Sequence, residues 1–241
     1  MPAEGRRDGD PVAAVVGATG GLGAALAREL AERGYRLVLA GRSRSGLEAL
    51  TLELPGSVAV VLDVRDPDAG DHVVAALTEG PGRLDVLVNA AGVVAFATLA
   101  DTPDIVVEEL FLTNVIGPLW LLRRCLPLLQ ERGGTVVHLS AVVAERPMAG
   151  MAPYSATKAA LTAADAALAI ELRRVGVRVL DVRPPHTETG LARRPLHGQA
   201  PRLPRGLDPA HVARAIAAAL DEPRRTALTA SDLTLRPDEP T

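Results

Sequence analysis

Short apolar runs alternate with longer amphipathic segments along nearly the whole sequence, and that alternation leaves few folds open. Val12–Val16, Arg36–Ala40, Val58–Leu62, Asp85–Val88, Thr135–Ser140 and Val177–Val182 are rich in Val and Leu and lack polar alternation. That is the pattern of strands covered on both faces. Between them, Gly21–Arg33, Ser45–Glu53, Pro67–Thr78, Pro103–Glu131 and Pro153–Arg174 carry apolar residues at helical spacing. Gly34, the pair Gly133 and Gly134, and Gly176 fall just past predicted helix ends, where a left-handed residue closes the last turn. Strand, helix, strand in repetition requires right-handed crossovers. The pattern predicts a single α/β domain: a doubly wound parallel sheet of about seven strands with helices on both faces.

The domain is expected to span residues 11–232, closing with a short helix at Pro209–Leu220 and a last strand near Thr226–Ala230. The Pro- and Arg-rich stretch Arg193–Pro209 lies after the sixth strand, which places it as part of a lid, about residues 186–207, over the carboxyl edge of the sheet. Residues 1–10 and 233–241 are expected to be loose ends.

Composition excludes several classes of function. The formal net charge is −3 over 241 residues, which argues against nucleic acid or an anionic membrane surface as partner. Cys125 is the one cysteine, so no intrachain disulfide forms and nothing suggests an oxidising compartment. The polar first ten residues do not resemble a signal peptide, and no run of about 18 uninterrupted apolar residues follows. The expectation is a soluble cytoplasmic protein. No Cys/His/Asp grouping has metal-ligand spacing, so no metal is expected.

Gly17-Ala18-Thr19-Gly20-Gly21-Leu22-Gly23 follows the first predicted strand directly and opens the first helix. Glycines there permit a sharp turn and let backbone N–H groups approach a pyrophosphate at the helix N-terminus. The first crossover of a Rossmann-type sheet is where a dinucleotide belongs. The end of the second strand selects between the two nicotinamide cofactors. A carboxylate there would bind the ribose of NAD, whereas a basic residue accommodates the 2′-phosphate of NADP. The sequence offers Gly41-Arg42-Ser43-Arg44 without an acid. Arg42 supplies a charged fork and Ser43 a hydroxyl, which predicts NADP(H).

Tyr154 and Lys158 are four residues apart on a predicted helix and therefore share one face. A phenol free in water has a pKa near 10, too high for efficient proton exchange at neutral pH. An adjacent ammonium is expected to lower it. Composition singles out the lysine: of 26 basic residues 25 are arginine, and Lys158 is the exception. An arginine fork does not replace a compact ammonium at equal geometry.

With these motifs in place, the stretch from about Val12 to Thr189 resembles the short-chain dehydrogenase/reductase family. The glycine turn resembles its TGxxxGxG, with Val16 in place of the threonine. Asp63, followed by Val64, resembles the aspartate that contacts the adenine. Asn89, Ala90, Ala91 and Gly92 resemble the NNAG motif, with Ala90 replacing the second asparagine. Asn114 falls where the family keeps a helix asparagine, and Tyr154 to Lys158 fits YxxxK. Pro184-Pro185-His186-Thr187-Glu188-Thr189 resembles PGxVxT. The resemblance implies hydride transfer between NADP(H) and a carbonyl or alcohol, with Tyr154 exchanging the proton. Lys158 would hold the nicotinamide ribose, and Pro184, Thr187 and Thr189 would lie beside the nicotinamide. Asn114 would link Lys158 to solvent through a helix distortion and water. It also implies a homodimer or homotetramer.

One position departs from the family. Its catalytic serine stands 13 residues before the tyrosine, and here that position is Ala141, preceded by Ser140. Neighbours in an extended strand point to opposite faces, so Ser140 would need a bulge to take over. Loss of such a polarising donor costs about 10²–10³ in rate elsewhere. Two readings stay open: a reductase or dehydrogenase of a small carbonyl or alcohol, and an NADP-binding protein without redox activity, or a cyclase or dehydratase on the same scaffold. His138 is expected to be packed or at a sheet edge rather than a base. Arg193, Arg194, Arg202 and Arg205 in the lid would greet an anion or simply face solvent, and five aromatic residues in the whole chain make an extensive stacking platform improbable.

Overall fold

The computed structural model describes residues 9–234. Seven parallel strands form one sheet in the order β3-β2-β1-β4-β5-β6-β7. They are β1 (Val12–Val16), β2 (Arg36–Gly41), β3 (Val58–Val61), β4 (Val86–Asn89), β5 (Thr135–Leu139), β6 (Arg178–Val182) and β7 (Ala227–Leu228). The helices are α1 (Gly21–Glu32), α2 (Arg44–Glu53), α3 (Ala69–Glu79), α4 (Asp104–Phe111), α5 (Gly117–Arg132), α6 (Ala152–Arg173), α7 (Pro209–Leu220) and α8 (Ala230–Thr234). The strand order reverses at β1, which pairs with β2 on one side and β4 on the other. A crevice opens at such a switch point beyond the carboxyl ends of the strands.

Alternate residues of each central strand feed one of two cores. Ala13, Val15, Leu37 and Leu39 pack with Leu26 and Leu30 of α1 and Ile216 of α7. Val12, Ala14, Val16 and Val38 pack with Val73 and Leu77 of α3 and with Leu121 and Leu129 of α5 on the other face. Burial on both faces accounts for the unbroken Val/Leu runs. The expectation of a fully covered strand fails at β3. Val58 and Val61 are 38% and 42% exposed, because the strand order leaves β3 at the sheet edge with β2 as its one neighbour.

Pro103–Glu131 is predicted as one helix by its spacing, and the structure interrupts it over Asp104–Arg132 with a distortion at Asn114, which the family resemblance implies. α4 runs into a π-helical turn, Leu112–Ile116, before α5 begins. By length and composition this 29-residue run would be apolar enough to cross a membrane. In the fold, Leu121, Leu122, Cys125 and Leu129 of α5 are buried against the sheet. Leu233, expected within a loose tail, is fully buried in α8. The rest of both expected loose ends, residues 1–8 and 235–241, lies outside the described residues.

Candidate active site

A cleft of about 620 Å³ opens at the carboxyl ends of the central strands. One end is built mainly from backbone. Gly17 turns the chain with φ of +81°, and a side chain there would run into the backbone of Ala90 and Ala91. A Cβ on Gly21 would lie 2.6 Å from Cα of Thr189, so the glycine lets the segment after β6 close over the turn. Gly20 caps α1 without a side-chain bond, which leaves the first-turn N–H donors of that helix for a ligand.

Gly41, Arg42 and Ser43 continue this wall from the end of β2. The Ser43 hydroxyl accepts the Gly46 N–H at 3.1 Å and starts α2, so it keeps one donor proton for a second partner. Arg42 is exposed at the same edge. Asp63 and Val64 also line the cleft. The Asp63 carboxylate is already gripped by the Arg65 guanidinium at 2.7 and 3.1 Å, which holds its pKa below the ordinary value. Any base contact from Asp63 is therefore made by a neutralised carboxylate.

Ala90, Ala91 and Gly92 line the cleft after β4, as do Pro184, Thr187 and Thr189 after β6. Asn89 is not brought there. It is 3% exposed behind the cleft, with both side-chain polar atoms unpartnered. Asn114 is likewise behind the wall. Its Oδ1 accepts the Val93 N–H at 2.9 Å, and its Nδ2 donates to Val93 O at 3.0 Å and to Thr157 Oγ1 at 3.1 Å. The π turn gives Asn114 the register for this clamp. It is a positioning residue that ties the loop after β4 to α6.

Tyr154 and Lys158 both line the cleft from one face of α6. Lys158 Nζ donates to Leu139 O at 2.8 Å and lies 5.8 Å from the centre of the Tyr154 ring. A Cβ on Gly92 would stand 3.7 Å from the same Nζ, at ordinary contact distance. The electrostatic expectation is corrected. Burial pushes the Tyr154 phenol upward rather than letting Lys158 lower it. Burial also pulls Lys158 down, to about 8, while the Asp181 carboxylate works the other way. Both charged forms lose hydration in this pocket, and desolvation outweighs a cation that sits over the ring.

Ser140 lines the same cleft, and its hydroxyl has two partners on α6. Its hydroxyl donates to Lys158 O at 3.0 Å and bonds Thr162 Oγ1 at 2.8 Å, which commits it to α6. Ala141 is extended, with φ of −169°, and packs in one apolar cluster with Tyr154. His138 is fully buried in β5, an interior strand, with Nδ1 at 2.5 Å from Asp165 Oδ1 on α6.

Residues of the segment from His186 to Leu207 line the far end. Leu191, Ala192, Arg194, Leu196 and Leu203 line the cleft, whereas Arg193 is 82% exposed and lies outside that lining. Arg202 and Arg205 are also exposed and absent from it. Main-chain bonds fasten the lid to the opposite wall: Leu196 N to Val94 O at 2.8 Å and Phe96 N to His197 O at 3.0 Å. The apolar residues facing Tyr154 were missed by motif reading. One signal was available, since the run Val93–Phe96 stays apolar past the strand end, where a surface loop is expected to turn polar.

The short chain dehydrogenase family model matches residues 11–199. Serine 3-dehydrogenase of Agrobacterium fabrum is 36% identical over 179 residues, covering 73% of this chain and 71% of that one. An alcohol dehydrogenase from the archaeon Thermococcus sibiricus, complexed with 5-hydroxy-NADP, superposes with a TM-score of 0.84 at 28% identity, over 95% of this chain and 99% of its own. A 3-ketoacyl-(acyl-carrier-protein) reductase from Brucella melitensis, complexed with NADH, also gives 0.84, at 27% identity over 92% and 98%. The chain belongs to the short-chain dehydrogenase family of oxidoreductases. Its structural neighbours bind NADP or NADH in this fold.

Proposed function

We propose that the chain is an NADP(H)-dependent reductase or dehydrogenase of a carbonyl or alcohol substrate, with Tyr154 as the proton donor and acceptor. One observation carries this reading. Tyr154 and Lys158 open from α6 into the same cleft whose other end is the Gly17–Gly23 turn. The bare α1 N-terminus suits the pyrophosphate, and Arg42 with the spare Ser43 donor suits a 2′-phosphate. When bound, the nicotinamide supplies hydride to the carbonyl carbon, or accepts it in the reverse direction.

The protein's own groups do the rest. Burial keeps the Tyr154 phenol neutral, the form that can give its proton to a carbonyl oxygen in reduction. Lys158, fixed by Leu139 O, presents its remaining donors to the ribose side of the cleft. Asn114 holds the Val93 backbone and so fixes the wall opposite the tyrosine. Ala141 offers no hydrogen bond to the substrate oxygen, which leaves Tyr154 to polarise the carbonyl from this side of the cleft. That gap favours a second reading, a nucleotide-binding protein without turnover.

NADPH oxidation with a panel of neutral ketones separates the two. Wild type is expected to turn over, and Tyr154→Phe to lose about 10²–10⁴ in rate with NADPH affinity unchanged. Turnover that survives Tyr154→Phe removes the tyrosine from its role. Turnover that appears only in Ala141→Ser supports the second reading.

A further inference from the structure

Four arginines stand in the segment from His186 to Leu207, and one of them is placed to meet a substrate. Arg193, Arg202 and Arg205 are exposed and absent from the cleft lining, whereas Arg194 borders the cleft together with Leu191, Ala192 and Leu196. Those three apolar residues pack against the cluster that holds Tyr154, Val143 and Met151. The guanidinium therefore stands at the end of the cleft where the phenol is. Its Nε donates to Gly190 O at 3.3 Å, which folds the side chain back on its own segment and leaves both terminal nitrogens as donors. Among the described residues no carboxylate pairs with it. The one acid in the segment, Glu188, accepts the Gly206 N–H at 2.8 Å and lies 3.5 Å from His186 and 3.9 Å from Arg193. Asp63, the acid that lines the other end, is occupied by Arg65. The two terminal nitrogens of a guanidinium match the two oxygens of a carboxylate, in parallel N–H···O bonds.

We propose, resting on the reductase reading, that the substrate is an oxo acid or hydroxy acid in which an aliphatic chain separates the reacting carbon from a carboxylate, and that Arg194 selects it. The carbons lie on the apolar surface of Val94, Phe96, Val143 and Met151, where leaving water gains about 25 cal/mol per Å². The carboxylate stays at the rim, since Arg194 is exposed; it keeps part of its hydration and gains a charged hydrogen-bonding partner. The backbone sets the position of the guanidinium from both sides. Arg194 N donates to Leu191 O at 3.0 Å, and Leu196 N donates to Val94 O at 2.8 Å. Ala141 offers no hydrogen bond to the reacting oxygen, so binding energy at the remote carboxylate supplies orientation that the wall beside Tyr154 does not. In reduction, hydride from NADPH forms the new C–H bond at the carbonyl carbon, and the carbonyl oxygen takes the Tyr154 proton. The phenol is reprotonated from solvent, and the carboxylate is unchanged.

The experiment compares 4-oxopentanoate, 5-oxohexanoate and 6-oxoheptanoate, each with its methyl ester, so that the two members of a pair share one ketone and differ in charge. Reduction is followed by NADPH oxidation, and binding to the protein saturated with NADP⁺ by calorimetry. In at least one pair, wild type is expected to prefer the acid about tenfold, in affinity and in kcat/KM. Arg194→Gln should remove that preference through KM for the acid, and Arg194→Lys should restore part of it. Arg193→Gln removes the same charge from outside the cleft and should keep the preference within about twofold. No preference for any acid, or an equal loss in Arg193→Gln, overturns the assignment. A tenfold weaker NADPH Kd in Arg194→Gln also overturns it, by giving the guanidinium to a cofactor phosphate. An acid that binds selectively through Arg194 and is never reduced leaves the site standing and overturns the reductase reading. Reduction of the esters without any preference for the acids does the reverse.

Discussion

The two ends of the cleft are built on different principles. The proposed nucleotide end centres on two runs of consecutive residues, the Gly17–Gly23 turn and the Gly41–Ser43 edge, joined by short stretches after β3, β4 and β6. The proposed substrate end is assembled from the loop after β4, the loop after β5, the start of α6 and the segment after β6, and its lining is mostly apolar side chains. Backbone geometry is set by a few local rules on glycine and helix ends. A wall of side chains drawn from four segments follows no local rule. One end is therefore fixed by steric necessity, and the other is open to substitution.

Substitutions can break or sharpen that contrast. The largest effect is expected at Gly21→Val, whose added carbons meet the Thr189 backbone. Nucleotide affinity by fluorescence titration should fall about 100-fold or more, and overpacking should cost about 1–3 kcal/mol in a thermal melt. Val143→Ala, at the other end, should change KM for substrate and leave the nucleotide Kd within about twofold. Equal effects of both on the nucleotide would erase the distinction.

Next in size is Arg42→Ala. NADPH should bind about tenfold more weakly, a difference of about 1.4 kcal/mol, with NADH unaffected. Parallel loss for both cofactors would show that Arg42 does not read the 2′-phosphate.

The smallest effect is on pH dependence, where the two ends meet at Lys158. Burial holds its pKa at about 8, below the value of a free lysine, so the ammonium is lost as pH rises through 8. If ribose binding and proton transfer need the charged form, kcat/KM for reduction should fall by about twofold between pH 7 and 8 and more steeply above. A flat profile from pH 7 to 9.5 would show that the ammonium is not required, or that bound cofactor restores its pKa.

Legibility in the sequence followed the same division. The glycine turn, the Arg42 edge and the Tyr154/Lys158 spacing were readable because each depends on residues close together in the chain, whereas Asn114, whose partners are 21 and 43 residues away, was marked only by the family resemblance. Four features were not. The exposure of β3 depends on strand order, which pairs distant segments. Asn89 looked like a cofactor contact by motif, but the strand end turns it behind the wall, and only the backbone path reveals that. The grip of Arg65 on Asp63 is local, yet nothing in the motif distinguishes a free aspartate from a paired one. The direction of the Tyr154 shift depended on how much water the folded site excludes, and the helical spacing of two residues contains no measure of burial.

The fastening of the lid has a consequence for how this protein diversifies. Its link to the opposite wall runs through main-chain atoms, Leu196 to Val94 and Phe96 to His197. At Gly198 an added side chain would overlap the Phe96 carbonyl. Mutation can therefore exchange the inward side chains at Leu191, Leu196 and Leu203 while the path of the loop stays the same. The loop works as a fixed rack with interchangeable teeth, and descendants of this chain can acquire new preferences one residue at a time without relearning how to close.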